Sequence, residues 1–330
     1  MKCNVAREDD MTAENAFPGL HIPARTIQAP AFLSEIARGY LIPRPTAPYP
    51  AMDDKAAWRS YVDAQNNAVL PLLRTVSGDA KAQVDERTVG GAHVFDIVPD
   101  GVASQSRGVV LEIHGGGLIL CGGESCKLMA MGAAATLQRR MWAVDYRMPP
   151  EFPFPAGLDD CMDAYRGLLR ERPASDIIVS GSSAGGNLAA ALLLRARDEG
   201  LPMPAGLILG TPEVDLTESG DSFQTHEGLD PVLHSLMPVN LLYANGQDLR
   251  TPYLSPLFGN LEGFPPTLLT TGTRDLYLSN TVRMHGALRD AGVPAQLHVT
   301  EAGPHTGFPG APEGERIDRE IREFVRQLFS

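Results

Sequence analysis

The sequence is short of cysteine, of clustered positive charge and of long apolar runs, and each shortage removes a class of protein. Its four cysteines, Cys3, Cys121, Cys126 and Cys161, have neither C-x-x-C spacing nor the density of a disulfide scaffold in 330 residues. They are read as reduced thiols, and no metal site is expected from them. Lys and Arg number 28 against 40 Asp and Glu, a net charge of −12 without any basic block. That balance argues against nucleic acid or an anionic membrane as a partner. No apolar stretch reaches the roughly 18 residues of a membrane span. The first residues mix Lys2 and Arg7 with Glu8, Asp9 and Asp10, without the apolar core of about 7 to 15 residues that a signal peptide needs. The expectation is a soluble, cytoplasmic chain. There is no internal repeat, no low-complexity tract and no G-x-x-x-x-G-K-[ST] phosphate loop.

What is present is a 43% hydrophobic chain with 33 Gly and 27 Pro, long enough for one large, loop-rich α/β domain with an accessory part. Phe32, Leu33, Ile36 and Tyr40 recur at helical spacing before Pro43, Pro45 and Pro48. A second helix is expected from Asp53 as N-cap, carrying Trp58, Tyr61, Val62, Gln65 and Val69 until Pro71 disturbs it. These apolar faces cover either ordinary core or a pocket. From residue 83 the period shortens, and Val84–Val89 and Ala92–Val98 read as strands joined by the turn pair Gly90-Gly91. Further strands follow at 108–113, 141–144, from 177, and at 205–209, 267–271 and 295–299, with helices near 127–138, 158–169, 184–194, 283–291 and 317–328 between and after them. Such alternation implies a mostly parallel eight-stranded sheet with helices on both faces.

The chain centres on Ile177-Ile178-Val179-Ser180-Gly181-Ser182-Ser183-Ala184-Gly185-Gly186, a strand driven through G-x-S-x-G into an alanine- and leucine-rich helix. Glycines there let strand and helix backbones nearly touch, holding Ser183 in a strained turn with its hydroxyl exposed as a candidate nucleophile. A hydroxyl needs a base and the base an orienting acid, both on later strand-end loops. Asp275, after the strand Thr267–Thr271, and His305, after Ala295–Val299, stand in that order. Asp215 is a rival acid favoured less because the strand before Asp275 directly precedes that of His305. His298 lies within a strand, His114 precedes the serine, and His21, His93, His226, His234 and His285 have no strand-end position after the acid. His114-Gly115-Gly116-Gly117 ends the strand at 108–113, and its amides, with that of Ala184, are candidate donors to an oxyanion.

HGGG at 114–117, DYRMPPEFPFPAGLDD at 145–160, GSSAGG at 181–186 and the later Asp and His segments together resemble the hormone-sensitive-lipase-like bacterial esterases, which are α/β-hydrolases. The resemblance implies a triad of Ser183, Asp275 and His305. It also implies an oxyanion hole from the amides of Gly116, Gly117 and Ala184, with Gly115 shaping the loop and His114 orienting it rather than acting as a base. It further implies a helical cap from residues 1–80 and a second segment near 216–248, set on a catalytic domain over 81–330. The chain departs from the family pattern at Ser182, where Asp or Thr is common, and over Leu276–Ser279, where the family carries D-P-L-x-D from the acid onward. It departs again at Thr306-Gly307, where the histidine is commonly followed by Gly-Phe or Ala-Phe. The expected partner is a small-molecule ester of short to medium acyl chain, with no cofactor, no metal, no nucleic acid and no membrane span, and with a homodimer left open. Two alternatives remain: a lactone hydrolase using the same triad, and a catalytically silent relative that binds a small ligand.

Overall fold

In the computed structural model, which describes residues 19–43, 46–77 and 80–330, eight strands form one sheet in the order β1-β2-β4-β3-β5-β6-β7-β8. The expectations placed on the first 18 residues, Cys3 and a signal peptide among them, lie outside the described residues. β1 (Ala82–Val89) and β2 (Ala92–Pro99) form the antiparallel hairpin across Gly90-Gly91, and β2 pairs antiparallel with β4 (Met141–Asp145). β3 (Val109–Ile113), β5 (Ile177–Ser182), β6 (Gly206–Gly210), β7 (Thr267–Gly272) and β8 (Ala295–Thr300) continue the sheet with parallel pairing.

The period of two along each strand divides the core. Val109, Leu111 and Ile113 join Ile177, Val179, Leu207 and Leu209 on one face, while Val110, Ile178 and Ile208 point to the other. The first face is covered by α4 (Ala156–Glu171), α5 (Ala184–Asp198) and α8 (Leu278–Asp290), and the second by α3 (Glu124–Leu137) and α9 (Pro312–Leu328). Apolar side chains on both faces exclude water from the central strands, which leaves their carboxyl-end loops as the natural place for chemistry.

Two details of the helical reading are corrected. α2 (Lys55–Ser77) is capped by Asp54 rather than Asp53: the Asp54 carboxylate accepts the Ala57 amide at 2.9 Å. The helix also runs through Pro71 to Ser77. Pro71 is exposed, and the final turns are held by packing on α3 and by a two-pronged ion pair of Arg74 with Glu124 at 2.9 and 2.8 Å. Tertiary contact therefore outweighs the missing N–H. α1 (Glu35–Tyr40) and α2 go to different places. Leu33 and Ala37 pack on Ala302, Phe308 and Ala311, the loop that carries His305. Trp58 of α2 packs with Ile119 and with Val239 of α7 (Met237–Ala244), which follows the short α6 (Ser222–Thr225) in the 216–248 segment. Among the described residues no helix is long and apolar enough to cross a membrane.

Candidate active site

The β5–α5 elbow depends on two glycines. A Cβ on Gly181 would stand 2.2 Å from the Gly185 carbonyl oxygen, and one on Gly185 would stand 1.9 Å from that of Ile113. Neither distance is sterically possible, so only glycine lets β5, α5 and β3 approach this closely. Between them Ser183 adopts φ 57° and ψ −124°, a strained conformation for a residue with a side chain. Its amide donates to the Gly210 carbonyl at 2.8 Å, which pins the turn to β6.

Three loops then converge. The Ser183 hydroxyl meets His305 Nε2 at 2.9 Å, and His305 Nδ1–H donates to Asp275 Oδ1 at 2.9 Å. Asp275, fully buried, also accepts the Thr271 hydroxyl at 2.7 Å and the Tyr277 amide at 2.9 Å. The ring of Tyr277 stands edge-on to His305 at 4.9 Å. Burial pulls the His305 imidazole down, but the charge and hydrogen bond of Asp275, with Asp230 and Glu213 behind it, outweigh burial and leave its pKa above the ordinary histidine value.

The rival acid is engaged elsewhere. β6 ends at Gly210, so Asp215 lies beyond the strand end, paired with Arg283 at 2.6 Å and accepting the Ser219 hydroxyl at 2.7 Å. His114 does not touch the serine. Its Nδ1–H donates to the Gly115 carbonyl at 2.7 Å, and its ring stacks on Tyr146 at 4.1 Å between centroids. Tyr146 in turn donates its hydroxyl proton to the His114 carbonyl at 3.0 Å. Burial pushes the imidazole down to about 4, so it is neutral near pH 7. It braces the loop whose Gly116 and Gly117 take φ 116° and 57°. Among the described residues no hydrogen bond engages the amides of Gly116 and Gly117, and the amide of Ala184, first in α5, lies where a helix has no internal partner for its N–H.

The residue that sequence reasoning missed is Asp230. From the 216–248 segment its Oδ2 accepts the amides of Leu276 at 2.9 Å and His305 at 3.1 Å, while Oδ1 accepts Val232 at 2.9 Å. One buried carboxylate thus ties the Asp275 loop to the His305 loop. Glu213 is also buried beside the site, pushed up to about 7 by burial. Its place two residues before Asp215, past a strand end, was the only signal. The family departures have local partners. Ser182 Oγ donates to the Gly210 carbonyl at 3.1 Å, and Ser279 Oγ accepts the Ser222 amide at 2.9 Å, joining the acid segment to α6.

A family model described as alpha/beta hydrolase fold matches residues 110–309. An esterase of Acinetobacter venetianus is 31% identical over 282 residues, covering 82% of this chain and 91% of that protein. The crystal structure of an esterase aligns with a TM-score of 0.86 at 35% identity, covering 94% of this chain and 98% of that one. Another, of an esterase from the bacterial hormone-sensitive lipase family, aligns with a TM-score of 0.77 at 31% identity over 86% and 94% of the two chains.

Proposed function

Since the chain belongs to the alpha/beta hydrolase family, we propose that it is a serine carboxylesterase acting on short- to medium-chain acyl esters through Ser183, His305 and Asp275. The observation that carries this reading is the unbroken hydrogen-bond chain from Ser183 Oγ through both nitrogens of His305 to Asp275.

In the acylation step His305 Nε2 takes the Ser183 proton as Oγ attacks the ester carbon. Asp275 keeps the proton on Nδ1 and balances the imidazolium charge. The oxyanion falls to the amides of Gly116, Gly117 and Ala184, which cost no reorganisation because glycine conformations and the helix start already fix them. His305 then returns its proton to the leaving alcohol, and water repeats the sequence on the acyl-enzyme.

Residues near 19–77 and 216–248 serve in this reading as a cap. A Cβ on Gly117 would meet Leu236 Cδ1 at 3.2 Å, so the cap segment reaches the glycine loop itself. Leu236 also packs in both the Trp58–Val239 cluster and the Phe223–Tyr277 cluster. A side chain in that position limits the length of acyl chain that fits beneath it. The test is a panel of p-nitrophenyl acetate, butyrate, octanoate and palmitate, with a fluorophosphonate probe to label Ser183. Short and medium esters are expected to be turned over and palmitate to be poor. In Leu236→Ala the octanoate-to-butyrate ratio of kcat/KM is expected to rise, by about fourfold for each further methylene admitted. An unlabelled Ser183 sinks the serine mechanism, and an unchanged ratio sinks the role of Leu236.

Only neutral His305 serves as base, so kcat/KM should fall on acidification. Because the His305 pKa is raised, the midpoint of that limb is expected above the ordinary value of about 6.5. A pH profile of butyrate hydrolysis reads it directly, and a midpoint below that value contradicts the assignment.

A further inference from the structure

His114, Cys126 and Asp145 come from three segments, the end of β3, the first turn of α3 and the end of β4, and their ligand atoms all lie within 4.8 Å of one another. His114 gives this trio its meaning. Its Nδ1 faces the Gly115 carbonyl at 2.7 Å, which can only accept, so Nδ1 carries the proton and Nε2 presents a bare lone pair. That nitrogen belongs to a side chain only 4% exposed, and no hydrogen bond among the described residues engages it. A histidine whose N–H is fixed on a backbone carbonyl while the other nitrogen stands bare has the tautomer and orientation of a metal ligand.

We propose that His114 Nε2, Cys126 Sγ and the Asp145 carboxylate form a binding site for a thiophilic divalent cation of the Zn²⁺ class, beside the glycine loop. The donor set suits the charge: one thiolate and one carboxylate neutralise a dication, and the imidazole adds none. On binding, the S–Zn bond replaces the S–H bond and the thiol proton leaves to solvent, so affinity rises with pH. The thiol gives up only a weak contact, with the Val144 carbonyl at 3.7 Å. Asp145 already accepts the Gly123 amide at 2.8 Å and faces His93 Nδ1 at 3.1 Å, yet each carboxylate oxygen has a second lone pair. Tetrahedral Zn²⁺ with bonds of about 2.0 to 2.3 Å spaces its donors by about 3.3 to 3.6 Å, so side-chain shifts of about an ångström close the set. Asp145 also lines a groove of about 540 Å³ with Arg59, Val62, Asn66 and Gly122, from which an ion and a water ligand would enter.

The ion would act on the glycine loop through the His114 to Gly115 hydrogen bond, so occupancy is expected to slow ester hydrolysis. This consequence rests on the function proposed above, whereas binding itself does not. The experiment is titration of the chelator-treated full chain with Co²⁺, followed by absorption. The expected result is one equivalent bound with a thiolate-to-cobalt charge-transfer band, competed away by Zn²⁺ and retained in Ser183→Ala. The band should vanish in Cys126→Ala and Cys126→Ser, both checked for folding by circular dichroism. Zn²⁺ should inhibit butyrate hydrolysis reversibly, and Cys126→Ala should need at least about tenfold more of it while its metal-free rate stays near that of the parent. Absence of the band in the parent chain, or a band or inhibition that survives Cys126→Ala, overturns the proposal.

Discussion

Ser183→Ala is expected to fold and to lose about a millionfold in kcat on p-nitrophenyl butyrate, with His305→Ala close behind, because members of a triad act as a unit. The backbone at Ser183 is held by its amide bond to Gly210 and by its neighbouring glycines rather than by its hydroxyl, so folding should survive. Asp275→Asn should cost less. The carboxylate accepts His305 Nδ1–H and the Tyr277 amide on Oδ1 and the Thr271 hydroxyl on Oδ2. An amide can keep its oxygen toward His305 and turn its NH₂ toward Thr271, whose hydroxyl can rotate to accept. The tautomer is then preserved and only the charge is lost, so the expected drop lies below the roughly 10⁴-fold seen where the tautomer is wrong. The acid limb of kcat/KM should move to lower pH at the same time, since Asp275 is the leading influence that raises the His305 pKa. Steady-state kinetics on folded variants decide the matter. If Asp215→Asn, which breaks the pair with Arg283, proved more damaging than Asp275→Asn, the acid assignment would be wrong.

The second large effect is expected at Asp230. Asp230→Ala leaves the amides of Leu276 and His305 buried without an acceptor, and each orphaned donor costs about 1–3 kcal/mol. The same amides fix where Asp275 and His305 sit, and a misplacement of about 1 Å in a catalytic group costs about 10²-fold in rate. The variant should therefore lose stability to urea and lose kcat while KM moves little. Asp230→Asn retains an acceptor oxygen but not the charge, so it should recover part of both losses and lower the midpoint of the acid limb. Parent-like kcat and urea midpoint in Asp230→Ala would show that the carboxylate braces neither loop.

How far the site was legible follows from the range of the interactions that make it. Strand period, the Gly90-Gly91 turn and the G-x-S-x-G elbow are decided within a few residues, and those elements stand where the sequence placed them. The β-α alternation orders the carboxyl-end loops along the sheet, which is why Asp275 and His305 were found by their position after β7 and β8. Boundaries that depend on docking were less legible. The passage of α2 through Pro71 is decided by α3 and the Arg74–Glu124 pair, and no local signal announces either.

The sequence by itself determined the fold class, the eight strands, the serine elbow and the order of the three candidate catalytic groups, because local periodicity and steric demands at glycine need no distant partner. Only the tertiary structure decided what holds those groups. Asp230 reaches Leu276 across 46 residues and His305 across 75. α1 lies against the His305 loop, with Ser34 bound to Glu313 across 279 residues. His114, Cys126 and Asp145 meet although no motif links them. The physical reason is the same in each case. A buried amide, carboxylate or imidazole must find a partner wherever the packing of the sheet's two faces delivers one, and that delivery is a property of the whole fold.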